Sequence, residues 1–213
     1  ARFLRIYPAL FAVVLFSVFL LGLTLTSVPT QRFLTDRLTY QYILYNTTVF
    51  FGAKYHLPGV FESNPYAGAV NGSLWTLPWE VRMYALLALL WVVARVASRT
   101  EALAKGRLSS LVLLVAGAFY LCSVSSHFGR FFEHWTVLGV DLGYYMRATV
   151  DLGSVFFLGG SFFILKEKIT LSHWLAAASI AVFLIGGALP ELCRLFYPIA
   201  LTFLVLYLDY IPA

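Results

Sequence analysis

Between Ile6 and Gln31 the chain carries no charged residue for 26 positions. About 20 predominantly apolar residues are enough to take a helix across the hydrocarbon core of a bilayer. A helix apolar on every side must be surrounded by apolar matter, so this run belongs in a membrane or deep in a large core. Composition decides between the two. Apolar residues make up 61% of the 213 positions and charged residues 12%, against roughly 45–50% and about 25% in soluble domains. Aromatic residues at 17% exclude a disordered chain. Lipid is the solvent that fits.

The net charge of +5 is small and needs no nucleic-acid partner. Cations gather instead near the ends of apolar runs, where a membrane protein meets water. Cys122 and Cys193 lie in or beside apolar stretches, and no Cys/His spacing suits a metal or a disulfide framework. No metal site is expected. A full span follows Arg2 and Arg5 directly, without a signal-peptide layout, and there is no initiator Met. The chain therefore reads as the middle of a longer protein.

Six apolar runs qualify as spans: Tyr7–Val28, Leu74–Ala97, Leu108–Ser126, Ala148–Leu165, Ile169–Pro190 and Leu192–Tyr210. Leu38–Gly52 is about 15 residues long and holds Gln41, Asn46, Thr47 and Thr48, short and polar for a crossing. The expected fold is all-α: a polytopic transmembrane helix bundle of about six spans plus one interfacial or re-entrant segment, in a single membrane domain over residues 1–213. Arg95, Arg99, Lys105 and Arg107 against Glu101 mark a cytoplasmic loop. Arg2 and Arg5 read the same way. An even number of crossings must then separate the two, which favours an interfacial or re-entrant Leu38–Gly52 over a span and puts Lys166 and Lys168 inside as well. Two long outside loops remain, Ala53–Ser73 and His127–Arg147, the first rich in the Pro, Gly and Asn of turns.

Ionisable groups inside spans are costly and are functional candidates by default. Glu80 is the sharpest, six residues into its span and about 9 Å along the axis. Arg82, two residues on, projects to roughly the opposite face, while Tyr84 at i+4 shares the face of Glu80. Glu80 must meet water, a substrate or a cation from another helix. Asn71-Gly72-Ser73 forms a turn and a helix cap before it, and Trp75 and Trp79 suit the membrane interface. Arg2 and Arg5, one turn apart, form either a phosphate fork or a headgroup anchor. Asp151, Asp209 and Arg194 read as solvated or paired, and His56, His127, His134 and His173 have no metal-ligand neighbours. Gly159-Gly160 and Gly186-Gly187 suit close helix packing. Asn46-Thr47-Thr48 and Asn71-Gly72-Ser73 match the glycosylation sequon, a short and frequent pattern.

Two segments together go further. RFLRIYPAL (Arg2–Leu10) and NGSLWTLPWEVRMY (Asn71–Tyr84) resemble acyltransferase family 3, the integral-membrane O-acyltransferases of bacterial glycans. FFLGGSFF (Phe156–Phe163) and LVLYLDYIP (Leu204–Pro212) also look like later helices of that family. The resemblance implies a fragment that lacks the first two helices, with their catalytic His, and the C-terminal end. It implies transfer of an acyl group, acetyl in first expectation, from acyl-CoA to a hydroxyl of a cell-surface glycan or lipid-linked sugar. Glu80 is then the catalytic candidate and Arg2 and Arg5 the donor-binding pair. Asn71, Ser73, Trp75 and Tyr84 fall on the acceptor side. Acyl-CoA is a substrate and no bound cofactor is implied. The implied location is the bacterial inner membrane. The alternative is a transporter or flippase subunit that uses intramembrane carboxylates as relays, although no inverted repeat is visible.

Overall fold

The computed structural model describes residues 2–49, 52–65, 67–125, 131, 136–137, 140–186 and 188–210; of these, the side chains of 2–6, 136–137, 140–142 and 190–194 lie outside the description. Apart from a two-residue antiparallel ladder, Thr136–Val137 with Val140–Asp141, the regular secondary structure of the described residues is helical. Helix α1 (Arg2–Leu15) continues through a π-helical stretch, Phe16–Gly22, and one more turn, Leu23–Leu25. Then come α2 (Thr30–Thr35), α3 (Arg37–Thr48), a 3₁₀ turn (Gly72–Thr76), α4 (Leu77–Val96), α5 (Glu101–Val124) and α6 (Leu142–Leu165). The last two are α7 (His173–Ile185) and α8 (Pro190–Asp209).

Among the described residues, four segments are long and apolar enough to cross a membrane: Tyr7–Leu25, Gly72–Val96, Glu101–Val124 and Gly143–Leu165. The protein is an all-α membrane protein. Two shorter apolar helices, His173–Ile185 and Leu195–Asp209, occupy the fifth and sixth expected positions. At 13 residues α7 covers about 20 Å, less than the ~30 Å hydrocarbon core. Two amides, Ala188 N–H and Leu189 N–H, donate to the Ile185 carbonyl and turn the chain. Pro190 then opens α8, where a missing N–H costs nothing. Helix starts carry caps: Asp36 accepts from Leu38 N–H, Thr100 from Leu103 N–H and Ser172 from Trp174 N–H.

Contacts divide the chain into two compact units, Ala1–Tyr84 and Ala85–Ala213. In the first, Leu10, Val14 and Val18 along the first span form a core with Phe33, Tyr42, Val49, Leu57, Val60 and Leu74. Helix α3 presents Thr39, Tyr42 and Asn46 to it, a helical spacing. Twelve residues reach about 18 Å, too short to cross. Thr39 and Asn46 are paired beyond the helix. Thr39 Oγ1 donates to the Phe33 carbonyl at 2.7 Å. Asn46 Nδ2 donates to the Lys54 carbonyl at 2.8 Å while its Oδ1 accepts from Lys54 N–H at 2.9 Å. Because Asn46 is fully buried and bonded on both sides, its sequon is closed to glycosylation.

The Asn46 clamp begins an ordered loop, although its Pro, Gly and Asn content reads as a mobile connection. Ser27 N–H donates to the Gly59 carbonyl at 2.9 Å and Thr26 Oγ1 to the Pro58 carbonyl at 2.7 Å, which ties the loop to the end of the first span. Glu62 Oε1 accepts from Gly59 N–H at 2.9 Å, and Val70 N–H donates to the Tyr55 carbonyl. Gly59 takes a left-handed φ of 67°, and a Cβ there would lie 2.7 Å from Ser27 Oγ.

In the second unit, α5 and α6 are antiparallel. Ser123 meets Asp151, Phe119 stacks on Phe157 with centroids 5.6 Å apart, and Val112 lies 3.5 Å from where a Gly160 Cβ would stand. The pairs Phe183–Tyr197 and His173–Tyr207 make α7 and α8 antiparallel as well. Tyr120 Oη donates to the Leu195 carbonyl at 2.7 Å and joins α5 to α8. The start of α5 and the end of α6 therefore sit at the same end of this unit.

Two expectations follow. Gly59→Ala should cost about 2 kcal/mol, from left-handed strain and the collision with Ser27, and Asn46→Ala a similar amount, from the lost pairs to Lys54. Thermal unfolding of the purified protein, with Thr48→Ala as control, measures both. Second, single cysteines replacing Arg99 and Thr170, both exposed, should share one reactivity towards an impermeant maleimide, protected in intact cells and labelled after lysis. Ser98 is buried and would be a poor probe. Labelling of either site in intact cells would overturn the cytoplasmic placement.

Candidate functional site

The approach to α4 is built by one cap. Asn71 Oδ1 accepts from Ser73 N–H at 3.2 Å and from Ser73 Oγ–H at 2.6 Å, which starts the 3₁₀ turn. Pro78 and Trp79 turn inward and are buried, while Glu80 is exposed in the first turn of α4. An acid there is favoured by the free N–H groups of the helix start. The Arg82 guanidinium lies 4.7 Å from the Trp79 ring centroid, a cation–π contact. Among the described residues the Glu80 carboxylate makes no hydrogen bond or ion pair; the ion pair shown is the exposed Lys105–Glu101. Tyr84 is half-buried. The two tryptophans, equivalent in sequence, separate: Trp75 is 42% exposed and Trp79 only 5%.

Arg2 and Arg5 lie on the first turn of α1, one turn apart; their side chains fall outside the description. The loop that leads to α4 is bonded to Thr26 and Ser27, about 30 Å further along the same helical rod. The backbone thus places the arginine pair and the entrance to α4 at opposite ends of one span.

Asp151 is better placed than its sequence position suggests. It lies nine residues into α6, and its Oδ1 accepts from Ser123 Oγ at 2.6 Å. The Asp151 backbone carbonyl accepts from Ser154 Oγ at 2.8 Å. A carboxylate and a hydroxyl 28 positions apart in sequence meet across two helices, a juxtaposition no local pattern announces. His173 and Tyr207 are hydrogen-bonded through Nδ1 and Oη at the exposed edge of α7 and α8. Gly68 is packed against the His56 ring. His127 and His134, and the side chains of Cys193 and Arg194, fall outside the description. Among the described residues no three His, Cys, Asp or Glu side chains cluster as metal ligands.

Tyr42 is a buried polar group that the sequence pattern does not single out. Its ring is fully buried in the first core, and Oη has no hydrogen-bond partner among the described residues. Burial pushes its phenol above the ordinary tyrosine range. Ser17 Oγ is itself committed to the Val13 carbonyl at 2.8 Å. Ser17 belongs to the π-helical stretch, a geometry frequent at functional sites.

Comparison with known proteins finds no matching family model, curated sequence or solved structure.

The exposure of Glu80 yields a direct expectation. Glu80→Gln should leave expression and thermal stability nearly unchanged, within about 0.5 kcal/mol, as for a surface substitution. A large loss of melting temperature would reveal a structural ion pair.

Proposed function

We propose that the chain is the core of a membrane O-acyltransferase similar to acyltransferase family 3, acting on a hydroxyl of a cell-surface glycan or related acceptor. The observation that carries this reading is Glu80: an exposed carboxylate without an ion-pair partner among the described residues, in the first turn of a span-length helix. It stands inside the segment NGSLWTLPWEVRMY. In this proposal acyl-CoA is the donor substrate, acetyl-CoA in the first instance. Glu80 takes the acceptor hydroxyl proton or orients the base that does so. The hydroxyl oxygen bonds to the thioester carbonyl carbon, the carbon–sulfur bond breaks, and the proton ends on the coenzyme A sulfur. The exposed ring of Trp75, with Asn71, Ser73 and Tyr84, lines the acceptor side. Arg2 and Arg5, at the far end of the first span, hold donor phosphates through guanidinium forks. The bacterial inner membrane is the matching location.

A second reading, a transporter or flippase subunit, draws support from Asp151, a carboxylate inside a span-length helix with Ser123 as partner. One assay separates the two. The full-length protein, given labelled acetyl-CoA and glycan, should transfer label; substrate movement without modification supports the transporter. Glu80→Gln should lower transfer about a hundredfold or more. Arg2→Ala or Arg5→Ala should raise the apparent KM for acyl-CoA, and Lys should restore it only in part, because a point charge does not reproduce the planar fork. Near-parental turnover of a folded Glu80→Gln variant would remove the catalytic assignment.

A further inference from the structure

Helices α6 and α8 run parallel, and between their C-terminal halves a groove of about 860 Å³ is left open. Its walls are apolar, from Val155 and Leu201 at one end to Phe163 and Tyr210 at the other. Gly159 explains the space. Where Gly153 packs against Phe119 and Gly160 against Val112, a Cβ on Gly159 would meet nothing within 4 Å. Two of the three glycines therefore serve helix packing, and the third keeps the groove open.

One end of the groove is charged. Lys166 Nζ lies 4.6 Å from the Phe163 ring centroid and 5.7 Å from that of Tyr210, so the ammonium is held over two of the groove's own walls. The Asp209 carboxylate lines the same end, exposed, with no hydrogen bond or ion pair among the described residues. Glu167 and Lys168 share the turn with Lys166 and are exposed. Helices α6 and α8 also end here, each bringing the negative end of its dipole. An apolar trough with one fixed cation and one fixed anion at its mouth matches a zwitterionic amphiphile. A purely anionic headgroup would face Asp209 and two helix C-termini. A choline headgroup has no N–H to give a carboxylate, whereas an ethanolamine headgroup has three.

We propose that this groove is a binding site for an ethanolamine phospholipid, its acyl chain along Gly159, its phosphate on Lys166 and its ammonium on Asp209. The site lies wholly within the second unit, and the proposal does not rest on the acyl-transfer reading.

Native mass spectrometry of the full-length protein, equilibrated with matched ethanolamine, choline and glycerol phospholipids, tests it. The parent protein should retain the ethanolamine lipid in preference to both others. Asp209→Asn should erase the preference over choline while keeping binding. Lys166→Gln should weaken both zwitterionic lipids about fivefold, the value of one cation near a lipid surface. Gly159→Leu should fill the trough and abolish retention, and the two headgroup variants carry the test if that variant does not fold. Equal retention of all three lipids, preference for the glycerol lipid, no retained lipid, or displacement of lipid by acyl-CoA would each overturn the proposal.

Discussion

Hydrocarbon offers no hydrogen bonds, so each polar group placed in it must find a partner within the protein. Most hydroxyls in the helices meet this demand locally. Ser17 donates to Val13, Thr24 to Leu20, Thr149 to Tyr145, Ser161 to Phe157, Ser179 to Leu175 and Thr202 to Pro198, each to the carbonyl one turn back. Such residues ask nothing of the fold. The groups that one turn of helix cannot satisfy are the ones that organise it.

Asn46 is the strongest case. Its amide can be satisfied only by a backbone amide and carbonyl brought from outside α3, and Lys54 supplies both. That pairing, with Thr26 on Pro58 and Ser27 on Gly59, turns a stretch rich in turn residues into an ordered cover over the end of the first span. The loop then delivers Asn71, whose cap starts the turn that leads into α4. The position of Glu80 thus depends on a chain of polar pairings that begins with one buried asparagine.

The carboxylates divide by the same criterion. Asp151 is paired across helices with Ser123, a contact that also sets the register of α5 against α6. Glu80 and Asp209 have no such partner among the described residues, and both are exposed at helix ends. Glu80 lies at a helix start, whose free N–H groups favour an acid, and Asp209 at a helix end, where the negative end of the dipole disfavours one. Opposite ends of the helix dipole give two similar side chains different needs.

The all-α fold was legible in the charge-free runs, because helix is the segment structure that satisfies its own backbone in lipid. The short, polar character of Leu38–Gly52 also showed that α3 does not cross, and the spacing of Glu80 and Arg82 put them on different faces. Those are properties of single segments. Tertiary structure alone decided that Trp79 is buried and Trp75 exposed, that Asp151 meets Ser123, that the turn-rich loop is ordered, and that Gly159 faces open space while Gly160 packs. Each depends on which neighbour a side chain meets. A uniformly apolar surface carries little of that information, because in lipid every face of a helix can be apolar and periodicity no longer marks the inside.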